Sequence, residues 1–166
     1  DGIEWTGVSI MRMVQKLDAG PVILQLGTRV NGDETYGELA LRLSELGAAA
    51  LIEAMALIEA GKAREVPQDD ALATYAPKID RSLTRVDWSR DSAIVSRTVR
   101  AYDPRPGAFT TLKGSDVKLF GAKPVARPAA AAPGTVIAAG RADGADGGLL
   151  VACGDGAVRI LQIQPA

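Results

Sequence analysis

The chain has 166 residues, 47% hydrophobic but only 4% aromatic, with 19 Lys and Arg, 20 Asp and Glu, one cysteine and no histidine. That supports an ordinary core of Ala, Val, Leu and Ile, and no apolar run reaches the roughly 18 to 20 residues of a membrane span. A Ser-His-Asp set, an internal disulfide and a His- or Cys-based metal site are all excluded. The lone Cys153, in "LLVACGDG", reads as a buried structural thiol suited to a reducing cytoplasm. No acid spacing reads as a calcium loop, so no metal is expected.

The charge is uneven. Residues 1–75 carry 6 basic and 12 acidic side chains, whereas residues 76–166 carry 13 basic and 8 acidic ones. A change of sign along a chain marks a domain boundary, and it suggests that the second half meets an anion. "DGIEWTGVSI" has none of the parts of a signal peptide. With no initiator methionine, the chain is expected to be a piece of a longer protein.

The first element is a strand in "TGVSIMRM", with Val8, Ile10 and Arg12 on one face. The second, "PVILQLGTRV", is more continuously apolar, as in a strand covered on both sides. Between them a Leu-Asp-Ala-Gly-Pro turn holds Asp18 and Gly20. By local context Asp18 is the one plausible catalytic group, although Asp is also an ordinary turn residue.

Thr35 and Glu38 form a capping box opening a helix, whose face runs Leu39, Leu43, Leu46, Ala50 and continues through Leu51, Met55 and Ile58. Gly47 within it permits close packing or a bend, and Gly61 is the C′ stop. Residues 65–80, "EVPQDDALATYAPKID", lose periodicity and read as a linker or a surface strap.

A second helix starts after "VDWS" with Ser89 as N-cap, runs through Ile94, Val95, Val99 and Tyr102, and stops at Asp103-Pro104. Five short strands follow: "GAFTTL", "DVKLFGAKPVA", "GTVIAAG", "GLLVACG" and "AVRILQIQ". Asp155-Gly156 reads as a type I′ hairpin turn, and "RPAAAAPG" as an exposed loop. Five strands at hairpin spacing make a small barrel or sandwich.

The blocks "TGVSIMRM", "LDAGPVI", "TYAPKI", "VDWS", "VRAYDPRPGAF", "VKLFGA", "APGTVI" and "LLVACGDGAVRILQIQPA" resemble the methionyl-tRNA formyltransferases, in that family's order and across essentially the whole chain. The resemblance implies an α/β plus all-β protein. Residues 1–64 would be the C-terminal part of a Rossmann-like formyltransferase domain, 65–80 a linker, and 81–166 a small OB-like β-barrel with a preceding helix that binds tRNA. It implies formyl transfer from 10-formyltetrahydrofolate to initiator methionyl-tRNA by an Asn, a His and an Asp, the Asp lying in the Leu-Asp-x-Gly turn. Asp18 holds that position, and the Asn and His would belong to an upstream segment.

The loop before it, Val14, Gln15, Lys16 and Leu17, would face the folate. Val14 and Lys16 depart from members with an acid after the methionine. Expected tRNA contacts are Lys78, Arg105, Lys113, Lys118 and Lys123, as a backbone-reading set. The aromatic residues Trp88, Tyr102, Phe109 and Phe120 read as core. The chain by itself is expected to be inactive and prone to self-association, whereas the full enzyme would be a monomer. A sugar-nucleotide formyltransferase, a 10-formyltetrahydrofolate hydrolase and a non-catalytic nucleic-acid-binding module are the alternatives.

Overall fold

The computed structural model of the protein describes residues 2–125, 131–140 and 147–166. The described residues form two compact units, residues 1–32 with 38–77 and residues 33–37 with 78–166. The first half of the expected loop "RPAAAAPG", residues 127–130, lies outside the described residues, as do residues 141–146.

In the first unit, β1 (Trp5–Met11) pairs antiparallel with β2 (Val22–Arg29), Val8 opposite Leu26 and Trp5 opposite Arg29. β1 alternates as expected, with Thr6, Val8 and Ile10 half-buried. Arg12 does not share their face: it lies beyond the strand, exposed, in an ion pair with Glu65. β2 is not covered on both sides either. None of its residues is buried, and Gln25, Gly27 and Arg29 face solvent, because the sheet here has two strands and one helix against it.

That helix, α1 (Tyr36–Glu59), starts directly after Thr35. It ends in a Schellman turn. Gly61 takes φ +64, its N–H donates to the Ile58 carbonyl at 3.0 Å, and the Lys62 N–H donates to Leu57 at 2.8 Å. The inward face runs through Leu39, Leu43, Leu46, Ala50, Ala54 and Leu57, and only the two alanines are buried. The expected continuation through Leu51, Met55 and Ile58 is wrong. Those three are exposed, because a 3.6-residue period carries the stripe from Ala50 to Ala54 and Leu57. With Leu41 and Ile52 they leave a second apolar face open to solvent.

The second unit holds the larger core. A five-stranded antiparallel sheet has the order β3-β4-β7-β6-β5, from β3 (Ala108–Leu112), β4 (Ser115–Val125), β5 (Val136–Gly140), β6 (Gly148–Ala152) and β7 (Ala157–Pro165). β4 and β7, its best-paired strands, register Leu119 opposite Ile163 and Ala122 opposite Ile160. The helix α2 (Ser92–Ala101) lays Val95 and Val99 on Leu119, Ala122, Val158 and Ile160. The buried Ser96 hydroxyl donates to the Ala122 carbonyl at 3.0 Å, satisfying a polar group that would otherwise be costly there. Phe109 and Phe120 are buried, and Trp88 and Tyr102 pack half-buried against the core.

Two local expectations fail in this unit. Ser89 does not cap α2. The cap position is Asp91, and Ser89 instead donates its N–H and hydroxyl to Asp87, in a turn one step earlier. Asp155-Gly156 is not a type I′ turn, since neither residue has positive φ. Residues 153–156 make a four-residue connection closed by the Cys153 N–H to the Gly156 carbonyl. The two-residue turn with both φ positive is Lys113-Gly114, at +50 and +85 between β3 and β4. Burial pushes the Cys153 thiol up to about 11, as befits an inert structural cysteine.

Candidate functional site

In the first unit Asp18 sits in the turn between β1 and β2, exposed, with φ +54. A non-glycine residue in this left-handed region costs roughly 1 to 2 kcal/mol, so the turn needs outside support. Gly20, two residues on, is buried against the backbone. A Cβ there would lie 1.7 Å from the Arg12 carbonyl oxygen. The Arg12 N–H also donates to the Pro21 carbonyl at 3.0 Å, closing the turn on itself.

The support comes from the segment after α1. Val66 exchanges two backbone hydrogen bonds with Val22, at 2.8 and 2.9 Å. From there the chain runs back along the turn. Gln68 Nε2 donates to the carbonyls of Asp18 at 2.9 Å and Gly20 at 2.7 Å. Lys16 Nζ meets Asp70 Oδ1 at 3.0 Å, and the Arg12 guanidinium meets Glu65, which raises the pKa of Arg12 chiefly through the side-chain hydrogen bond. Asp69 caps the short 3-10 turn Asp70–Leu72 by accepting from Ala71 N–H. Residues 65–72 are therefore a strap that fastens the Asp18 turn.

Of the loop residues before Asp18, Val14, Gln15, Lys16 and Leu17 are all exposed, and Leu17 is 87% accessible. They lead directly into Asp18 in the chain, and Asp18 is itself exposed. Gln68 was missed from sequence, since it lies 48 and 50 residues from the carbonyls it holds.

The second unit carries the expected basic residues. Lys78, Arg105, Lys113 and Lys123 are exposed, and Lys118 is half-buried. They do not form one cluster. Lys113 is in the turn before β4 and Lys123 near its far end, on the order of 30 Å apart at strand rise. Lys118 instead lines a cleft of about 220 Å³ with Ile79, Asp80, Arg81, Thr84, Pro106 and Phe109. Lys78 and Arg105 adjoin this cleft in the chain. Arg81, which sequence reading passed over, lies 4.6 Å over the Phe109 ring and holds Asp116 at 2.8 Å. The Thr111 hydroxyl and then Arg81 hold the Asp116 carboxyl below its ordinary value. Among the described residues, no group of three or more His, Cys, Asp or Glu is placed to hold a metal ion, and no helix is long and apolar enough to cross a membrane.

The sequence of each unit matches a family model. Residues 1–55 match the formyl transferase model, and residues 78–166 match the formyl transferase C-terminal domain. The chain belongs to the formyl transferase family. It is 41% identical over 159 residues to the methionyl-tRNA formyltransferase of Pseudomonas paraeruginosa, covering 96% of this chain and 49% of that protein.

Among solved structures, HypX from Aquifex aeolicus in complex with tetrahydrofolic acid superposes with a TM-score of 0.77 at 27% identity. The match covers 99% of this chain and 28% of that one. The methionyl-tRNA formyltransferase from Clostridium thermocellum, at 17% identity, shares the fold with a TM-score of 0.61 over 74% of this chain and 52% of its own. The chain thus spans about half the length of the curated relatives it matches.

Proposed function

We propose that these residues are the later part of a methionyl-tRNA formyltransferase, acting in the cytoplasm in translation initiation, which moves a formyl group from 10-formyltetrahydrofolate to the amino group of initiator methionyl-tRNA. Residues 1–64 finish the catalytic domain, 65–80 link it, and 81–166 form the OB-like tRNA-binding domain. The 41% identity to a methionyl-tRNA formyltransferase across 96% of the chain carries this reading. The exposed acid in a braced turn is the chemistry that fits it.

Formyl transfer needs an amine to attack the formyl carbonyl, a proton to leave that amine, and a proton to reach the departing folate nitrogen. Asp18 is the acid that holds and polarises the proton-carrying group, an imidazole or a water, beside the reacting carbon. The imidazole comes from outside residues 1–166, since the chain contains no histidine. The folate lies against Val14 to Leu17, and the acceptor RNA against the cations Lys78, Arg105 and Lys118, with Lys113 and Lys123 at its margins. The isolated chain binds folate weakly at most, transfers nothing, and self-associates through its open α1 face. The full enzyme is a monomer and takes no metal.

The test offers the full-length gene product three acceptors with the same formyl donor: methionyl-initiator tRNA, an amino-sugar nucleotide, and water alone. Formylation of the tRNA at the fastest rate supports the reading. Formylation of the sugar nucleotide, or release of formate without transfer, would replace it by one of the other two enzymes.

A further inference from the structure

We propose that Gln68 is a positioning residue for formyl transfer, and that the strap bearing it exists to set the orientation of Asp18. The inference rests on the reading of Asp18 as the catalytic acid. Gln68 is exposed and belongs to no helix, strand or core cluster. Its single amide nitrogen nevertheless reaches two carbonyls of one turn, at 2.9 Å on Asp18 and 2.7 Å on Gly20. Both amide hydrogens are thereby used.

Those carbonyls are Asp18's own and that of Gly20 two residues on, and they follow directly on a non-glycine φ of +54, a conformation the chain leaves readily unless it is held. Holding the two oxygens fixes the peptide planes that follow Asp18 and Gly20, and so restrains the ψ rotation that would swing the Asp18 side chain relative to the rest of the turn. The neighbouring fastenings agree. The Val22–Val66 pair precedes Gln68, the Lys16–Asp70 ion pair follows it, and Arg12–Glu65 closes the other side of the turn. Both ion pairs are exposed and contribute little stability on their own. Together they keep Gln68 in register with the two carbonyls.

A carboxylate displaced by about 1 Å loses up to roughly a hundredfold in rate, while substrate binding elsewhere is untouched. The strap therefore acts on kcat more than on KM.

The experiment uses the full-length gene product with Gln68→Glu, which keeps the shape but sets an acceptor against two carbonyls. Gln68→Met serves as a neutral second variant in case the first folds poorly. Asp18→Asn and the Asp18→Asn/Gln68→Glu double variant complete the set. The expected result is a fall in kcat of about 10- to 100-fold for both Gln68 variants, with KM for donor and acceptor within about twofold and a thermal midpoint near that of the parent. The double variant should be no slower than Asp18→Asn alone, because the two residues act as one unit.

An inactive Asp18→Asn beside Gln68 variants of parental kcat would overturn this proposal and leave the reading of Asp18 standing. A fully active Asp18→Asn would remove both. Multiplicative losses in the double variant, or Gln68 effects confined to KM and thermal stability, would make the strap merely structural and also overturn it.

Discussion

The Asp155 carboxylate accepts a hydrogen bond from the Ser92 N–H at 2.6 Å, across 63 residues of chain. It does what the N-cap does not: Asp91 occupies the cap position of α2 without a side-chain bond to the helix. The β6–β7 connection is thus locked to the start of α2, and the Gly154 N–H adds a bond to the Arg90 carbonyl at 3.0 Å. Asp155→Ala should lower the thermal midpoint of residues 78–166 by about 5 °C. The backbone bond from Ser92 holds the Asp155 pKa below its ordinary value. Its contribution is therefore present above the unfolded value of about 3.9 and is lost as pH falls through the lower folded value. Midpoints measured from pH 7 downward should keep their difference to below about pH 4 and then draw together for parent and variant as the pH falls further.

Gly47 faces Val8, but an added Cβ would meet it at 3.8 Å, an ordinary contact, and the helix is continuous through this position. Neither close packing nor a bend requires the glycine. Gly47→Ala should stabilise the first unit by up to about 1 kcal/mol through helix propensity. Urea unfolding followed by helical ellipticity reads this directly.

Gly20 is the opposite case. Its missing Cβ would overlap the Arg12 carbonyl oxygen, a backbone atom that cannot rotate away. Gly20→Ala should cost about 2 to 3 kcal/mol and open the turn that carries Asp18. Amide exchange of Arg12, whose N–H is bonded to the Pro21 carbonyl, should speed up with it.

The cleft around Lys118 predicts a graded effect on RNA binding. Lys118→Ala and Arg105→Ala should each reduce the slope of log affinity against log salt by about 1, as expected for one lost phosphate contact. Lys113→Ala, in the turn before β4, should change the slope less. Filter binding of full-length protein to initiator tRNA across a salt series checks this, and equal slopes for all three variants would dissolve the cleft as a footprint.

Elements with local chemistry were readable in advance. The five short segments read as strands in the second unit, from "GAFTTL" to "AVRILQIQ", all form strands. Gly61 stopped α1 where expected. What escaped is non-local or small. The stripe of α1 passes through Ala54, which signals burial weakly, whereas the exposed Leu51 and Met55 carry the stronger apolar signal. Asp155 reads as a turn former, because nothing local says that its carboxylate serves a helix 63 residues earlier. Gln68 is an ordinary polar residue in an aperiodic segment until the fold brings the Asp18 turn beneath it. Asp18 itself was legible as a candidate, but its brace was not.

The most direct test is single-turnover formyl transfer to methionyl-initiator tRNA by the full-length gene product and its Asp18→Asn variant. With Asp18 as the acid of the proton-transfer step, the rate falls by about 10² to 10⁴-fold while the tRNA affinity is unchanged. A variant that transfers within twofold of the parent would contradict the account.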